Sequence, residues 1–313
     1  MGLSSLTLNR EGVTVPPMLQ TLAMTLSIAL AVPLVHPPTG HAASVKVVAT
    51  LPMLKEFAEQ VGREHVEVQS LITGLESEHS YSPKPSDLRN LGQAHLLLEV
   101  GLGLEVWVSG LVKNAANPQL RVITTSQGVG LIRDHTVAAG SSASGNPHIW
   151  LDPENAKVMV RHIAEGLIAV DPEHKQDYLN YLADYLRRLD QAQKTLQERV
   201  ARLQDRRIIT HHPAWPYFAR RFGFQIEGNI IQQAGMEPSA AHLAELTRLI
   251  KANKVKVIVS EPQLNQKIVQ ALAGETGARV VVLSPLPGTI KGTDSYLSLL
   301  EYNVSQLIAA LQS

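Results

Sequence analysis

Short β-branched runs alternate with helical stretches along this chain, and that alternation constrains its fold more than any other feature. VKVVATL (45–51), VEVQSLI (66–72), HLLLEVG (95–101) and RVITT (121–125) read as the strands of a first set. RRIIT (206–210), KVKVIVS (254–260) and ARVVVL (278–283) read as those of a second. Strands separated by helices pair in parallel, because a parallel pair needs a crossover connection. Two such sets predict an α/β fold of two lobes, each a parallel β-sheet with flanking helices.

Between the sets, from Pro172 to about Leu203, apolar residues step by three or four through Tyr178, Leu182, Tyr185, Leu189, Ala192, Leu196, Val200 and Leu203, with Lys, Arg, Asp, Glu and Gln opposite. This is an amphipathic helix. Its length, roughly 45 Å at 1.5 Å per residue, exceeds the radius of one lobe, so it is expected to join the two. The expected organisation is an N-terminal lobe over 43–172, a connecting helix over 173–203 and a C-terminal lobe over 204–313. A final helix is expected from about Asp294 to Leu311.

Residues 18–35 form an uncharged apolar run followed by TGHAAS. That is the pattern of a secretory signal peptide over residues 1–42, with Ala43 the first residue after cleavage. The chain contains no cysteine, which excludes disulfides, thiolate metal sites, a cysteine nucleophile and a lipid-anchored cysteine. A free periplasmic protein is therefore expected. Twenty-eight basic residues balance 28 acidic ones, which argues against a nucleic-acid partner.

Ligands of open α/β sheets bind beyond the carboxyl ends of the strands. Three histidines fall at such places. His79, in ESEHSYSPKPSD, follows the second strand; His212 directly follows RRIIT; His148, in NPHIWLDP, ends a Gly/Ser/Ala-rich stretch (136–146) expected to be a flexible loop. Their spacing carries no short-range metal motif, and taken singly each is as readily a surface or core histidine.

The segments EHSYSPKPSD, NPHIWLDPENA and THHPAWPYFARRFG, in that order, resemble the three histidine motifs of the metal-binding solute-binding proteins of ABC importers, which scavenge zinc and manganese. GLGLEVW (101–107), SEPQ (260–263), ETGARVVVLSPL and SYLSLLEYNVSQL are similar as well, so the resemblance runs nearly the length of the chain. It implies a metal site in the interlobe cleft, held by His79, His148 and His212. In relatives the fourth ligand is often an aspartate after the last strand, where this chain has Ser284. Glu78 is the nearest substitute, since zinc-type relatives share the Glu-His pair; a water is the other option. Three neutral imidazoles suit Zn²⁺ over Mn²⁺, which takes more carboxylate oxygen.

The implied role is capture of Zn²⁺ and delivery to the membrane permease of an ABC importer, by a monomer that is not an enzyme. His79 and His148 are expected from one lobe and His212 from the other. His211 is expected to be exposed or behind the ligands, and His135 to be a solvated loop residue. Glu261 is read as a helix-capping or turn carboxylate, Trp150 and Trp215 as packing around the site, and GLGLE as a tight turn. The rival readings are a manganese- or iron-binding member of the same family and a secreted zinc hydrolase. The last lacks support, because neither HExxH nor GxSxG occurs. A role in adhesion, attached to some relatives, is addressed by no residue of the sequence.

Overall fold

A computed structural model describes residues 44–74, 76–133, 145–232 and 236–312. The expected signal peptide, His135 and most of the expected flexible loop lie outside the described residues. The first sheet contains β1 (Val45–Ala49), β2 (Val66–Ser70), β3 (Leu96–Glu99) and β4 (Arg121–Thr124), all parallel, in the order β2-β1-β3-β4. Its crossovers are α1 (Pro52–Gly62), α2 (Pro85–Gln93) and α3 (Val108–Ala115). After β4 come α4 (Pro153–Val170) and α5 (Lys175–Val200), joined by one 3₁₀ turn at Pro172–His174.

The second sheet contains β5 (Arg207–Thr210), β6 (Gln225–Asn229), β7 (Val257–Ser260) and β8 (Arg279–Val282), in the order β6-β5-β7-β8. All its pairs are parallel. Its helices are α6 (Pro216–Phe222), α7 (Ala240–Asn253), α8 (Gln266–Thr276) and α9 (Tyr296–Gln312). The two sheets thus repeat one strand order, although the sequence carries no detectable internal repeat. Hydrophobic strand runs buried on both faces explain the parallel ladders: Leu96, Leu97 and Leu98 of β3 and Val257, Ile258 and Val259 of β7 are all buried.

Strand β6 was not expected. QIEGN offers no β-branched run, and it lies at the sheet edge beside β5, half exposed. Its glycine is a packing requirement, because a Cβ at Gly228 would meet Leu246 Cδ1 at 2.8 Å.

The long helix is present as α5, 26 residues long, or about 39 Å. It begins three residues later than expected, because Pro172 opens a 3₁₀ turn instead of the helix itself. Tyr178, Tyr185, Leu189, Leu196 and Val200 form its buried stripe. It packs on α1 and α4 of the first half and on α6 and α9 of the second. Arg63–Asp184 pairs it to the first half and Arg199–Glu301 to the second.

In both sheets the strand order reverses between two neighbouring strands, β1/β3 and β5/β7, which opens a crevice at their carboxyl ends. A buried glutamate sits over each. Glu105 takes hydrogen bonds from Thr50 Oγ1 (2.8 Å), Val100 N (2.8 Å) and Gly101 N (2.9 Å). That bonding holds the GLGLE turn, in which Gly101, Leu102 and Gly103 all have positive φ. Burial pushes the Glu105 carboxyl up to about 7, against its backbone donors. Over the second crevice sits Glu261, which belongs to the site below.

Candidate metal centre

Four side chains converge: Glu78, His79, His148 and His212, with one potential ligand atom from each lying within 4.8 Å of all the others. Glu78 and His79 come from the loop after β2, His148 from the turn before α4, and His212 from the residue pair that follows β5. Glu78, His148 and His212 are buried, and His79 is the most open, with 27% of its side chain exposed. The prolines of SPKPSD stiffen the chain behind this loop. Pro85 starts α2, while the Asp87 carboxylate accepts hydrogen bonds from Lys84 N (2.7 Å) and Tyr81 Oη (2.8 Å).

The imidazole tautomers follow from their partners. Asn146 Oδ1 accepts the His148 backbone N–H at 3.0 Å, so the amide orientation is fixed. The same oxygen lies 3.0 Å from His148 Nδ1, which must therefore carry the proton and leave Nε2 bare. Glu261 Oε1 lies 2.7 Å from His212 Nδ1 and accepts from Trp215 Nε1 at 2.9 Å, so the neutral form of His212 keeps its proton on Nδ1 and leaves Nε2 bare as well. Both bare nitrogens face the centre: His148 Nε2 is 3.3 Å from His79 Nε2, 3.4 Å from His212 Nε2 and 3.5 Å from Glu78 Oε1.

Those three distances match the edge of a ligand tetrahedron. A metal bound at 2.0–2.1 Å in tetrahedral geometry separates its ligands by about 3.3–3.4 Å, whereas an octahedron of the same bond length gives about 2.9 Å. The Glu78–His79 edge is longer, 4.0 Å, so their loop has to close slightly to complete the figure. Glu78 Oε1 is buried without a hydrogen-bond partner. An unpartnered carboxylate oxygen facing imidazole lone pairs is costly unless a cation compensates it.

Protonation favours the same state. Burial, reinforced by neighbouring His148, lowers His79 to about 4, and burial lowers His148 too, so both stay neutral at pH 7. Burial opposes charge on Glu78, and only imidazoles in their protonated form, His148 first, lower its carboxyl to about 2. His212 is the exception. Burial works against its protonation, yet the charge and hydrogen bond of Glu261 prevail and raise its pKa above 6.5.

All four residues expected from the sequence are thus brought together. Ser284 is not part of the group: its Oγ donates to Leu286 O (2.8 Å) and accepts from Leu286 N (3.1 Å), closing its own turn. Two expectations need correction. Glu261 caps no helix; it braces His212 and Trp215. Of the two places expected for His211 it takes the buried one, and neither ring nitrogen has a hydrogen-bond partner. His148 follows the first sheet in sequence, but its segment is bonded into the second half. Asn146 Nδ2 donates to Pro213 O (2.6 Å), Trp150 Nε1 to Pro285 O (2.8 Å), and Arg221 Nε to Asp152 Oδ1 (2.6 Å). Trp150 and Trp215 are fully buried packing residues, as expected.

Among the described residues no helix is long and apolar enough to cross a membrane. The family model described as zinc-uptake complex component A, periplasmic, matches residues 47–310. The high-affinity zinc uptake system protein ZnuA of Bacillus subtilis is 28% identical over 273 residues, covering 83% of this chain and 86% of its own. The iron-binding protein YfeA of Yersinia pestis is 26% identical over 278 residues, covering 86% and 87%. A crystal structure of ZnuA superposes with a TM-score of 0.77 at 30% identity, covering 85% of this chain and 99% of that one. With its fold, its site and a family match over most of its length in agreement, the chain belongs to the family of the periplasmic component A of zinc-uptake complexes.

Proposed function

We propose that this protein captures Zn²⁺ outside the cytoplasm, holds it through His79, His148, His212 and Glu78, and delivers it to an ABC importer permease. The observation that carries the reading is the set of tetrahedron-length edges, 3.3, 3.4 and 3.5 Å, around His148 Nε2. Three imidazoles and one carboxylate are a zinc-type donor set; a manganese or iron site takes more oxygen ligands. Relatives named for zinc and for iron lie at similar identity, so the metal is argued from the donor set.

Residues 1–42 act as the export signal, 43–172 and 204–313 as the two lobes, and 173–203 as the connector between them. A connector that packs on both halves permits only small rotations. Capture and release then lie mainly with the loop carrying Glu78 and His79. Among the described residues, the bonds of that loop to other elements include two long ones, Trp107 Nε1 to Glu78 O at 3.5 Å and Thr289 Oγ1 to Gly74 O at 3.3 Å.

Calorimetry of the metal-stripped protein with Zn²⁺, Mn²⁺ and Fe²⁺ in parallel tests the reading. One Zn²⁺ per chain, bound at least about a hundredfold more tightly than Mn²⁺, is expected. Tighter binding of Mn²⁺ or Fe²⁺ would replace zinc with that metal.

A further inference from the structure

Asn146 lies outside the metal group yet is bonded both to His148 and to the chain just after His212. Its side chain is buried, with 4% of the residue exposed. Oδ1 holds both the backbone N–H and the Nδ1–H of His148, each at 3.0 Å. Nδ2 donates to Pro213 O at 2.6 Å, the carbonyl immediately after His212. Its backbone is fixed too. Asn146 N donates to Ile132 O (2.9 Å), and Asn146 O accepts from Tyr217 Oη (2.9 Å), which itself accepts from Ile132 N (3.0 Å). The neighbouring Gly145 leaves room for this pairing, since a Cβ there would meet Leu131 Cβ at 2.8 Å.

The structure assigns Asn146 as a positioning residue that fixes His148 as an Nε2 ligand and locks it to the His212 loop, so that the two imidazoles form one preassembled half of the site. The amide is suited to both tasks at once, because it has an acceptor for the imidazole N–H and a donor for the carbonyl. Neither aspartate nor leucine has both. Zinc thus meets a rigid pair, His148 and His212, and is closed upon by Glu78 and His79 from the other half. A pair held before binding loses little conformational freedom on binding, which favours tight capture; the Glu78–His79 pair then sets the rate of release.

This assignment rests on the zinc-site reading, and the test keeps the two apart. The full chain, stripped of metal, is compared as parent, His79→Ala, Asn146→Ala and Asn146→Asp. Imidazole ¹⁵N spectra without metal report the His148 tautomer, and zinc titration against a competing chelator reports affinity. The parent is expected to show the Nδ1-protonated tautomer. Asn146→Ala should show mixed tautomers and bind zinc about 10–100-fold more weakly, the usual cost of losing a group that orients a ligand. Asn146→Asp keeps the acceptor but loses the donor to Pro213 O, so it should keep the tautomer and still bind zinc more weakly than the parent.

Parental tautomer and affinity in Asn146→Ala, with His79→Ala impaired, would overturn the assignment and leave the zinc site standing. An aspartate variant with the mixed tautomers of the alanine variant would reduce Asn146 to a structural residue and also overturn it. If the parent itself binds no zinc, the proposed function fails first. Should the alanine variant not fold, the aspartate variant decides alone: a changed tautomer sinks the assignment and a retained one supports it.

Discussion

An imidazole can coordinate only through a nitrogen that carries no proton, so the residue holding the other nitrogen decides whether a histidine is a ligand. Glu261 performs this service for His212, from 2.7 Å. Replacing it by glutamine removes the charge but keeps an acceptor of similar shape. Glu261→Gln is therefore expected to weaken zinc binding by about 10–100-fold with little change in melting temperature, read by competitive titration and thermal denaturation. Unchanged affinity would mean that Glu261 merely anchors Trp215. The four converging residues were legible in the sequence because their motifs surround them. Glu261 and Asn146 were not, since their roles rest on contacts that no local pattern encodes, 49 residues apart for Glu261 and His212 and 67 for Asn146 and Pro213. Ser284 was read as a departure; its hydroxyl is engaged with Leu286, outside the group that Glu78 joins.

Elements place these residues, and the most telling one is the start of α4. Asp152 is fully buried, caps the helix by accepting from Glu154 N at 2.9 Å, and takes Arg221 Nε and Nη2 at 2.6 and 3.0 Å. This pair ties α4 to α6 four residues beyond His148. Arg221→Met would leave the Asp152 charge largely uncompensated, with only Arg220 nearby at 3.6 Å. A loss of about 3 kcal/mol in denaturant unfolding is expected, the low end for a broken buried pair because the Arg221 side chain is 26% exposed. A loss under about 1 kcal/mol would show the pair to be no stronger than a surface one. Strands buried on both faces and the stripe of α5 were readable because burial imposes a hydrophobic period. Strand β6 was not readable, because an edge strand with polar residues and a packing glycine has no such period.

For the whole molecule, the site joins a loop from the first half to a preassembled pair in the second, so metal binding and acidity act on the same closure. His212, raised above 6.5 through Glu261, is the first ligand to take up a proton as pH falls, and a protonated Nε2 cannot bind metal. His79 stays neutral until about pH 4. Zinc affinity is therefore expected to fall with the uptake of one proton, about tenfold per pH unit, below the His212 pKa, and to fall more steeply near pH 4. Titrations at stepped pH check this; a loss steeper than one proton near pH 6 would show His79 and His148 titrating together with His212. Zinc at a hundredfold excess over its dissociation constant should also stabilise the fold by about 2.7 kcal/mol. The geometry of the bound metal tests the central claim most directly. X-ray absorption at the zinc edge of the fully loaded protein should show four light-atom ligands at about 2.0–2.1 Å, three of them imidazoles. A shell of five or six ligands, or one with fewer than three imidazoles, would contradict a centre built from His79, His148, His212 and Glu78.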